Sequence, residues 1–146
     1  MTVTTRPLTA HDQAQWRVLW TEYLSFYESS VSEEVYQVTF GRLIDPHRPE
    51  QVCFVAEKNG ELIGLVHVVY HAHNWRVEDV CYLQDLYITP NERGTGAGRA
   101  LIEAVYAAAD ANGTPSVYWM TQTFNAQARK LYDRMANLTP FIKYSR

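Results

Sequence analysis

Cysteine is scarce in this chain: two of 146 residues, Cys53 and Cys81, each inside an apolar, β-branched stretch. One disulfide is a weak framework for a chain of this size, so the pair reads as two buried thiols in a reducing compartment, and a cytoplasmic location is expected. Long apolar runs are missing too. None approaches the roughly 20 residues that a transmembrane helix needs, and the polar start MTVTTRPLTAHDQ lacks the apolar centre of a signal peptide. Nor is there a surplus of one charge. Thirteen basic residues stand against 16 acidic ones, a net charge of −3, which announces neither a nucleic-acid nor a membrane partner. Metal ligands are also too few. His67, His71 and His73 are expected on one face of an extended strand, but no third and fourth ligand at credible spacing accompanies the H-x-H pair, so no metal is expected. The segment from His71 to Trp75 reads as a hairpin end.

What the chain does have is apolar and aromatic mass. Hydrophobic residues make up 47%, with ten Tyr, five Phe and four Trp, enough to bury a real core and to exclude disorder. The length fits a single domain over residues 1–146.

Residues 2–8 alternate weakly and predict an edge strand closed by Pro7. Trp16, Leu19, Trp20, Tyr23, Leu24 and Tyr27 recur at spacings of three and four, which predicts a helix over 11–26, with Asp12 where a capping acid belongs. A second helix over 32–43 starts at Ser32 and stops at the two prolines of DPHRPE. Residues 51–57, 62–70 and 80–88 read as strands, the first two joined by the turn Lys58-Asn59-Gly60-Glu61. A helix over 95–111 carries Leu101, Ile102, Val105, Tyr106 and Ala109 on one stripe and ends at Asn112-Gly113. A short buried strand over 117–120, a helix over 125–135 and a final strand over 141–144 complete the order. A meander running into a βαβ crossover predicts an α/β (mixed α+β) fold, with a mostly antiparallel mixed sheet and helices on both faces.

The stretch from Asp85 to Arg99, DLYITPNERGTGAGR, carries the chemistry. A buried strand ends at Ile88, Pro90 stops it, and a glycine-rich loop delivers the chain into a helix. Gly94, Gly96 and Gly98 leave the backbone amides of this turn free to point together at the helix N-terminus, where the dipole also favours an anion. A Walker loop would end in Gly-Lys-Ser/Thr, whereas here Gly98 is followed by Arg99 and Ala100. A dinucleotide fingerprint needs G-x-G-x-x-G, and the spacing here is Gly94-x-Gly96-x-Gly98. The loop does match R-x-x-G-x-G in Arg93, Gly96 and Gly98.

That loop resembles the coenzyme A loop of the GNAT superfamily of N-acetyltransferases, and the element order resembles that fold over nearly the whole chain. Downstream, Asn125-Ala-Gln-Ala-Arg-Lys-Leu-Tyr132 is similar to the family's N-x-x-A-x-x-L/F-Y helix. Residues 82–90 and 117–125 look most like the histone and polyamine acetyltransferase branch. The resemblance implies an enzyme that moves acetyl from acetyl-CoA to an amine in a ternary complex. It implies a GNAT-like sheet in which the strand over 80–88 splays from that over 117–120 to admit the acyl arm. Leu86, Tyr87 and Ile88 would pair with that arm, and the amides of Arg93, Gly94, Thr95, Gly96, Ala97, Gly98 and Arg99 would hold the diphosphate. The side chains of Arg93, Arg99, Arg129 or Lys130 would meet the remaining phosphate or stay solvated. A homodimer through the apolar residues 141–144 is expected on the same ground.

Tyr132 is the candidate general acid, its hydroxyl able to donate to a departing thiolate; its other reading is an amphipathic residue packing its helix on the sheet. Asn125 lies near the acyl arm or caps the helix. Asp85 is the candidate base, on the face of Leu83 and Tyr87 unless a bulge intervenes, or else a structural carboxylate. Glu22, Tyr23, Tyr27 and Glu28 span a turn and a half of helix, and an acidic, aromatic wall suits a cationic acceptor such as a polyamine, a lysine-like amine or a basic peptide. The alternatives are amino acids, a protein N-terminus or a drug amine as acceptor, or a coenzyme A-binding sensor without catalysis.

Overall fold

A computed structural model describes residues 2–146. The elements run β1 (Thr4–Pro7), α1 (Gln13–Phe26), α2 (Glu33–Ile44), β2 (Gln51–Lys58), β3 (Glu61–His71), β4 (Val80–Ile88), α3 (Ala97–Ala111), β5 (Val117–Tyr118) and α4 (Ala126–Met135). The five strands lie in the order β1-β2-β3-β4-β5. The first four pair antiparallel, and β5 returns parallel to β4 after the α3 crossover. This is the expected mixed α/β sheet, with a core on each face. Trp16, Leu19 and Trp20 of α1 and Tyr36 and Phe40 of α2 cover Val55, Leu65 and Tyr87 on one side. Leu101, Ile102, Val105 and Ala109 of α3 cover Val66, Val68 and Leu83 on the other. Each such Val, Leu, Ile or Phe side chain contributes about 1.5–3 kcal/mol through burial. No described helix is long and apolar enough to cross a membrane.

Local chemistry sets the boundaries. Ser32 caps α2 by accepting the Val35 amide at 3.3 Å. Helix α3 begins at Ala97, two residues later than the pattern predicts, because Gly94 and Gly96 hold φ of 78° and 92°, outside the helical region. Strand β5 stops at Tyr118, since Trp119 leaves the sheet to pack against Tyr106 and Tyr132. The expected final strand over 141–144 is absent: these residues have no regular structure, and Phe141, Ile142 and Tyr144 are exposed without a strand to face them. The histidine face also breaks up. His67 is buried, His71 closes β3, and His73 lies beyond the strand, its Nδ1 accepting from the Trp75 amide at 3.1 Å.

Two irregularities matter for the site. His67 stands opposite Asp85 while Val68 stands opposite Leu83, so Gln84 is an extra residue in β4. The bulge puts Asp85 on the α1 face with Tyr87 and leaves Leu83 on the α3 face, correcting the expectation that all three share one side. Beside β5, β4 is paired only at Cys81 and Tyr82, and the rest of that edge is open. Across the gap stands α4, which has no fully buried residue and is tied at its end by the Tyr106 hydroxyl donating to the Met135 carbonyl at 2.9 Å.

At the other sheet edge Arg6 donates to both oxygens of Asp12, at 2.8 and 2.9 Å, and to Glu57 at 2.8 Å. Asp12 also accepts the Thr9 amide at 2.8 Å. The Arg6 guanidinium, more than any other cause, holds the buried Asp12 carboxyl down at about 2. Its contribution is therefore present above pH ~4 and lost as pH falls toward ~2. Asp12→Asn should be less stable than the parent by about 1–3 kcal/mol in urea at pH 7, with the difference shrinking below pH ~4. An equal deficit at pH 3 and pH 7 would contradict this assignment.

Candidate active site

A cleft of about 650 Å³ opens along the free edge of β4. One wall is α1, with Tyr23, Phe26 and Tyr27; another is α4, with Asn125 at its cap and Leu131 and Tyr132 within it; the floor is Leu86, Tyr87 and Ile88, and the loop of Arg93, Gly94, Gly96, Gly98 and Arg99 closes one end. Sequence positions 23 to 132 meet here because β4 has no strand beside its second half.

The strand edge is specific about which groups it offers. The Thr89 amide donates to the Ile63 carbonyl at 2.8 Å, and the Tyr87 carbonyl lies 2.8 Å from where a Cβ on Gly64 would sit. Tyr87 and Thr89 thus turn their main chain to β3, and the intervening Leu86 and Ile88 turn theirs to the cleft. Tyr87 contributes its ring instead. The Ile88 carbonyl accepts from Arg93 Nε at 3.0 Å, and the Arg93 guanidinium lies 5.5 Å from the Tyr87 ring centroid and 5.9 Å from that of Phe26.

At the loop, the amides of residues 94–99 have no hydrogen-bond acceptor among the described residues. The first intrahelical bond of α3 runs from Ala100 to Gly96 at 3.0 Å. Six free amides at the positive end of a 15-residue helix form an anion cradle. Gly98 keeps the neighbouring wall close, since a Cβ there would stand 3.3 Å from Leu131. A diphosphate with an extended, amide-rich arm fits this donor set. Among the side chains, Thr95 donates back to Glu92, Arg99 pairs with Glu103 on the surface, and Arg129 donates to the Thr123 carbonyl. Lys130 lines the cleft. Ala97 is buried beneath the loop.

Asp85 faces the α1 side with a side chain 13% exposed, and its Oδ2 lies 2.8 Å from His67 Nδ1. Burial, then the Asp85 carboxylate, pushes the Tyr23 phenol up, and burial does the same for Tyr27. Burial, with some help from Tyr27, raises the Tyr132 phenol to about 12. Tyr87, raised to about 12 by burial and by Glu22, donates its hydroxyl to Glu22 at 2.9 Å. These four phenols therefore keep their protons at neutral pH; Tyr23 and Tyr27 stand near Asp85, and Tyr87 is bound to Glu22. Asn125 occupies the N-cap position of α4 without capping it; its amide donates to Thr121 at 3.2 Å. Glu28, at φ 55°, is exposed and lies outside the lining. His67, Trp16 and Phe26 were not singled out for the site by sequence reasoning; the consecutive polar residues Gln84 and Asp85 within an apolar strand are the one signal of the bulge that aligns His67 with Asp85.

Residues 16–136 match the acetyltransferase (GNAT) family. The chain belongs to that family. It is an acetyl-transfer enzyme, 42% identical over 137 residues to the D-amino-acid N-acetyltransferase HPA3 of Saccharomyces cerevisiae, covering 92% of this chain and 84% of the relative. An uncharacterized N-acetyltransferase, YhfO of Bacillus subtilis, is 28% identical over 123 residues, covering 84% and 81%. Among solved structures, AAC(6')-Iy in complex with the bisubstrate analog CoA-S-monomethyl-acetylneamine superposes with a TM-score of 0.87 at 17% identity, over 100% of this chain and 98% of that one. A ribosomal-protein-alanine N-acetyltransferase from Brucella melitensis gives 0.82 at 18% identity, over 100% and 99%. At such identities these two show the fold: the GNAT sheet with its helices.

A phenol held near 12 stays silent in a spectrophotometric titration through the ordinary tyrosine range near 10. The difference between the parent and Tyr132→Phe should show no phenolate lost between pH 9 and 10.5. A full tyrosine's loss there would place Tyr132 in a wetter setting than the cleft described.

Proposed function

We propose that this enzyme transfers the acetyl group of acetyl-CoA to the α-amine of an amino acid by direct attack in a ternary complex, within one domain over residues 1–146. The observation that carries the reading is the Asp85 carboxylate, turned by the β4 bulge to the α1 face beside the phenols of Tyr23 and Tyr27, which line the cleft.

Acetyl-CoA, when bound, supplies a thioester carbonyl open to attack by an amine. The free amides of residues 94–99 hold its diphosphate, and the main-chain groups of Leu86 and Ile88 complete hydrogen bonds with its arm. Asp85 takes the proton that an ammonium acceptor loses before it attacks. The amine nitrogen would bond the acetyl carbon as the carbon–sulfur bond breaks, its second proton passing to solvent, and Tyr132 would present its hydroxyl to the leaving sulfur. A phenol near 12 is a poor proton source for a thiolate whose acid has a pKa of about 8.5. Tyr132 therefore acts as a hydrogen-bond donor to the developing charge, with full proton transfer left to solvent.

An amino acid brings a carboxylate with its ammonium, and the cleft offers a cation for it. Tyr23 stands edge-on to the Tyr87 ring at 6.3 Å, beside Asp85, and Arg93 lies over the same ring at 5.5 Å. The 42% identity to a D-amino-acid N-acetyltransferase supports the same acceptor class. A second reading follows the histone and polyamine branch, with a polyamine, a lysine-like amine or a basic peptide as acceptor; Glu22, Tyr23 and Tyr27 favour it. The two acids that would serve a polycation are placed elsewhere, however. Glu22 accepts the Tyr87 hydroxyl, and neither it nor Glu28 lines the cleft. The buried free thiols of Cys53 and Cys81 support a reducing, cytoplasmic setting. The exposed Phe141, Ile142 and Tyr144 support a homodimer through the C-terminal segment.

Thiol release from acetyl-CoA against a panel of amino acids of both hands, spermidine, spermine, basic peptides and aminoglycosides tests the acceptor. Turnover with amino acids should exceed that with polyamines, and the reverse order would establish the second reading. Gly96→Glu should abolish coenzyme A binding in calorimetry, since a carboxylate would enter the cradle at a residue whose φ of 92° already disfavours a side chain. Tyr132→Phe should lower kcat far more than acetyl-CoA affinity; unchanged kcat across pH would remove Tyr132 from the chemistry.

A further inference from the structure

Behind Asp85 the hydrogen bonds continue inward. His67 sits directly across the β3–β4 ladder from Asp85, 4% exposed, with Nδ1 at 2.8 Å from Asp85 Oδ2. Its other nitrogen, Nε2, accepts the indole N–H of Trp16 at 2.9 Å. Trp16 is fully buried, and Trp20 stands edge-on to the imidazole at 5.4 Å.

An indole nitrogen donates and has no lone pair to accept with. His67 Nε2 must therefore carry its lone pair toward Trp16, which places the ring's single proton on Nδ1, pointing at Asp85. The series Trp16→His67→Asp85 has one direction. Its inner member, Trp16, can only donate, so a proton arriving on Asp85 has no exit through the series, and a relay is excluded. What the series does is occupy Oδ2 and fix the plane of the carboxylate, which stands beside the Tyr23 and Tyr27 phenols of the cleft wall.

We propose that His67 is a positioning residue that presents Asp85 to the acceptor amine, with Trp16 locking the imidazole in its Nδ1–H tautomer. The proposal rests on the reading of Asp85 as the base. Neither His67 nor Trp16 lines the cleft; Asp85 stands next to Tyr23 of its wall, so both act through Asp85. The side chain at 67 therefore needs a donor at the δ position more than it needs volume. Asn places an amide nitrogen there, and Leu fills the space without a donor.

The test compares the parent with His67→Asn, His67→Leu and Asp85→Asn, measuring kcat and KM for the best acceptor at saturating acetyl-CoA, coenzyme A affinity, and unfolding in urea. His67→Leu should lower kcat/KM for the acceptor by about 10- to 100-fold, the worth of a hydrogen bond to a charged group, with coenzyme A affinity unchanged. His67→Asn should recover most of that loss. Equal activity of the two variants, or activity that simply follows their stability in urea, would overturn the proposal. If Asp85→Asn is inactive while His67→Leu keeps parental kcat/KM, the positioning role falls and the base reading stands. If Asp85→Asn keeps parental turnover, both fall. Independently of activity, nitrogen NMR of the parent should find the His67 proton on Nδ1; a proton on Nε2 would overturn the tautomer on which the proposal depends.

Discussion

Gln84 is the extra residue in the β3–β4 ladder, and by setting two residues against one it turns Asp85 toward α1 while Leu83 stays against α3. Much on the α1 side of the cleft follows from that displacement. With regular alternation, Asp85 would share the apolar α3 face with Leu83, packed among Val66, Leu101 and Val105, where an ionised group is costly. On the α1 face it meets His67 from the neighbouring strand and phenols from α1. The bulge thus exchanges one unpaired strand residue for a carboxylate with partners. It is a local irregularity that carries chemical consequence.

The phenols complement that carboxylate. Tyr23, Tyr27 and Tyr132 come from α1 and α4, on different sides of the cleft, and burial leads the causes that raise each of them. A protonated phenol is a donor that a nearby anion does not repel. Such a group can face Asp85 or a developing thiolate equally well, and a lining of this kind accepts either sign of partial charge without a change in its own ionisation. The glycine-loop end works on another principle: main-chain amides, whose partial charges are fixed by the helix and cannot titrate at all.

Those two ends differed in how readable they were from the sequence. The loop's glycines specify a backbone path, and a backbone path is local, so Gly94, Gly96 and Gly98 announce the cradle without knowledge of the tertiary fold. The sheet order was equally legible, because alternation and turn residues are local signals. The partner of Asp85 was not. That His67 stands opposite it depends on strand register, and the register shifts at a bulge marked only by two adjacent polar residues, Gln84 and Asp85. The reading of residues 141–144 as a strand failed for a related reason: apolar, β-branched composition describes a strand's preference, but pairing requires a neighbour, and β5 ends at Tyr118. Glu22 and Glu28 looked like part of one acidic, aromatic wall, but Glu22 is bound by the Tyr87 hydroxyl and neither acid lines the cleft, an outcome that depends on how the elements pack.

The attachment of α4 gives the cleft an uneven elasticity. The helix has no fully buried residue, and the hydroxyl of Tyr106 fastens it near Met135, while its other end, at Asn125, is held by bonds within its own approach loop, to Thr121, Gln122 and Thr123. Free-energy cost of local opening follows buried contact, and here the contact is concentrated toward Leu131, Tyr132 and Met135. The Asn125 end is thus the cheaper place for thermal breathing, so that the wall swings like a door hung on its Met135 side. Such motion widens the gap beside β4 without disturbing the sheet, and a bulky, many-jointed guest can leave by the loose side while the core behind it stays closed.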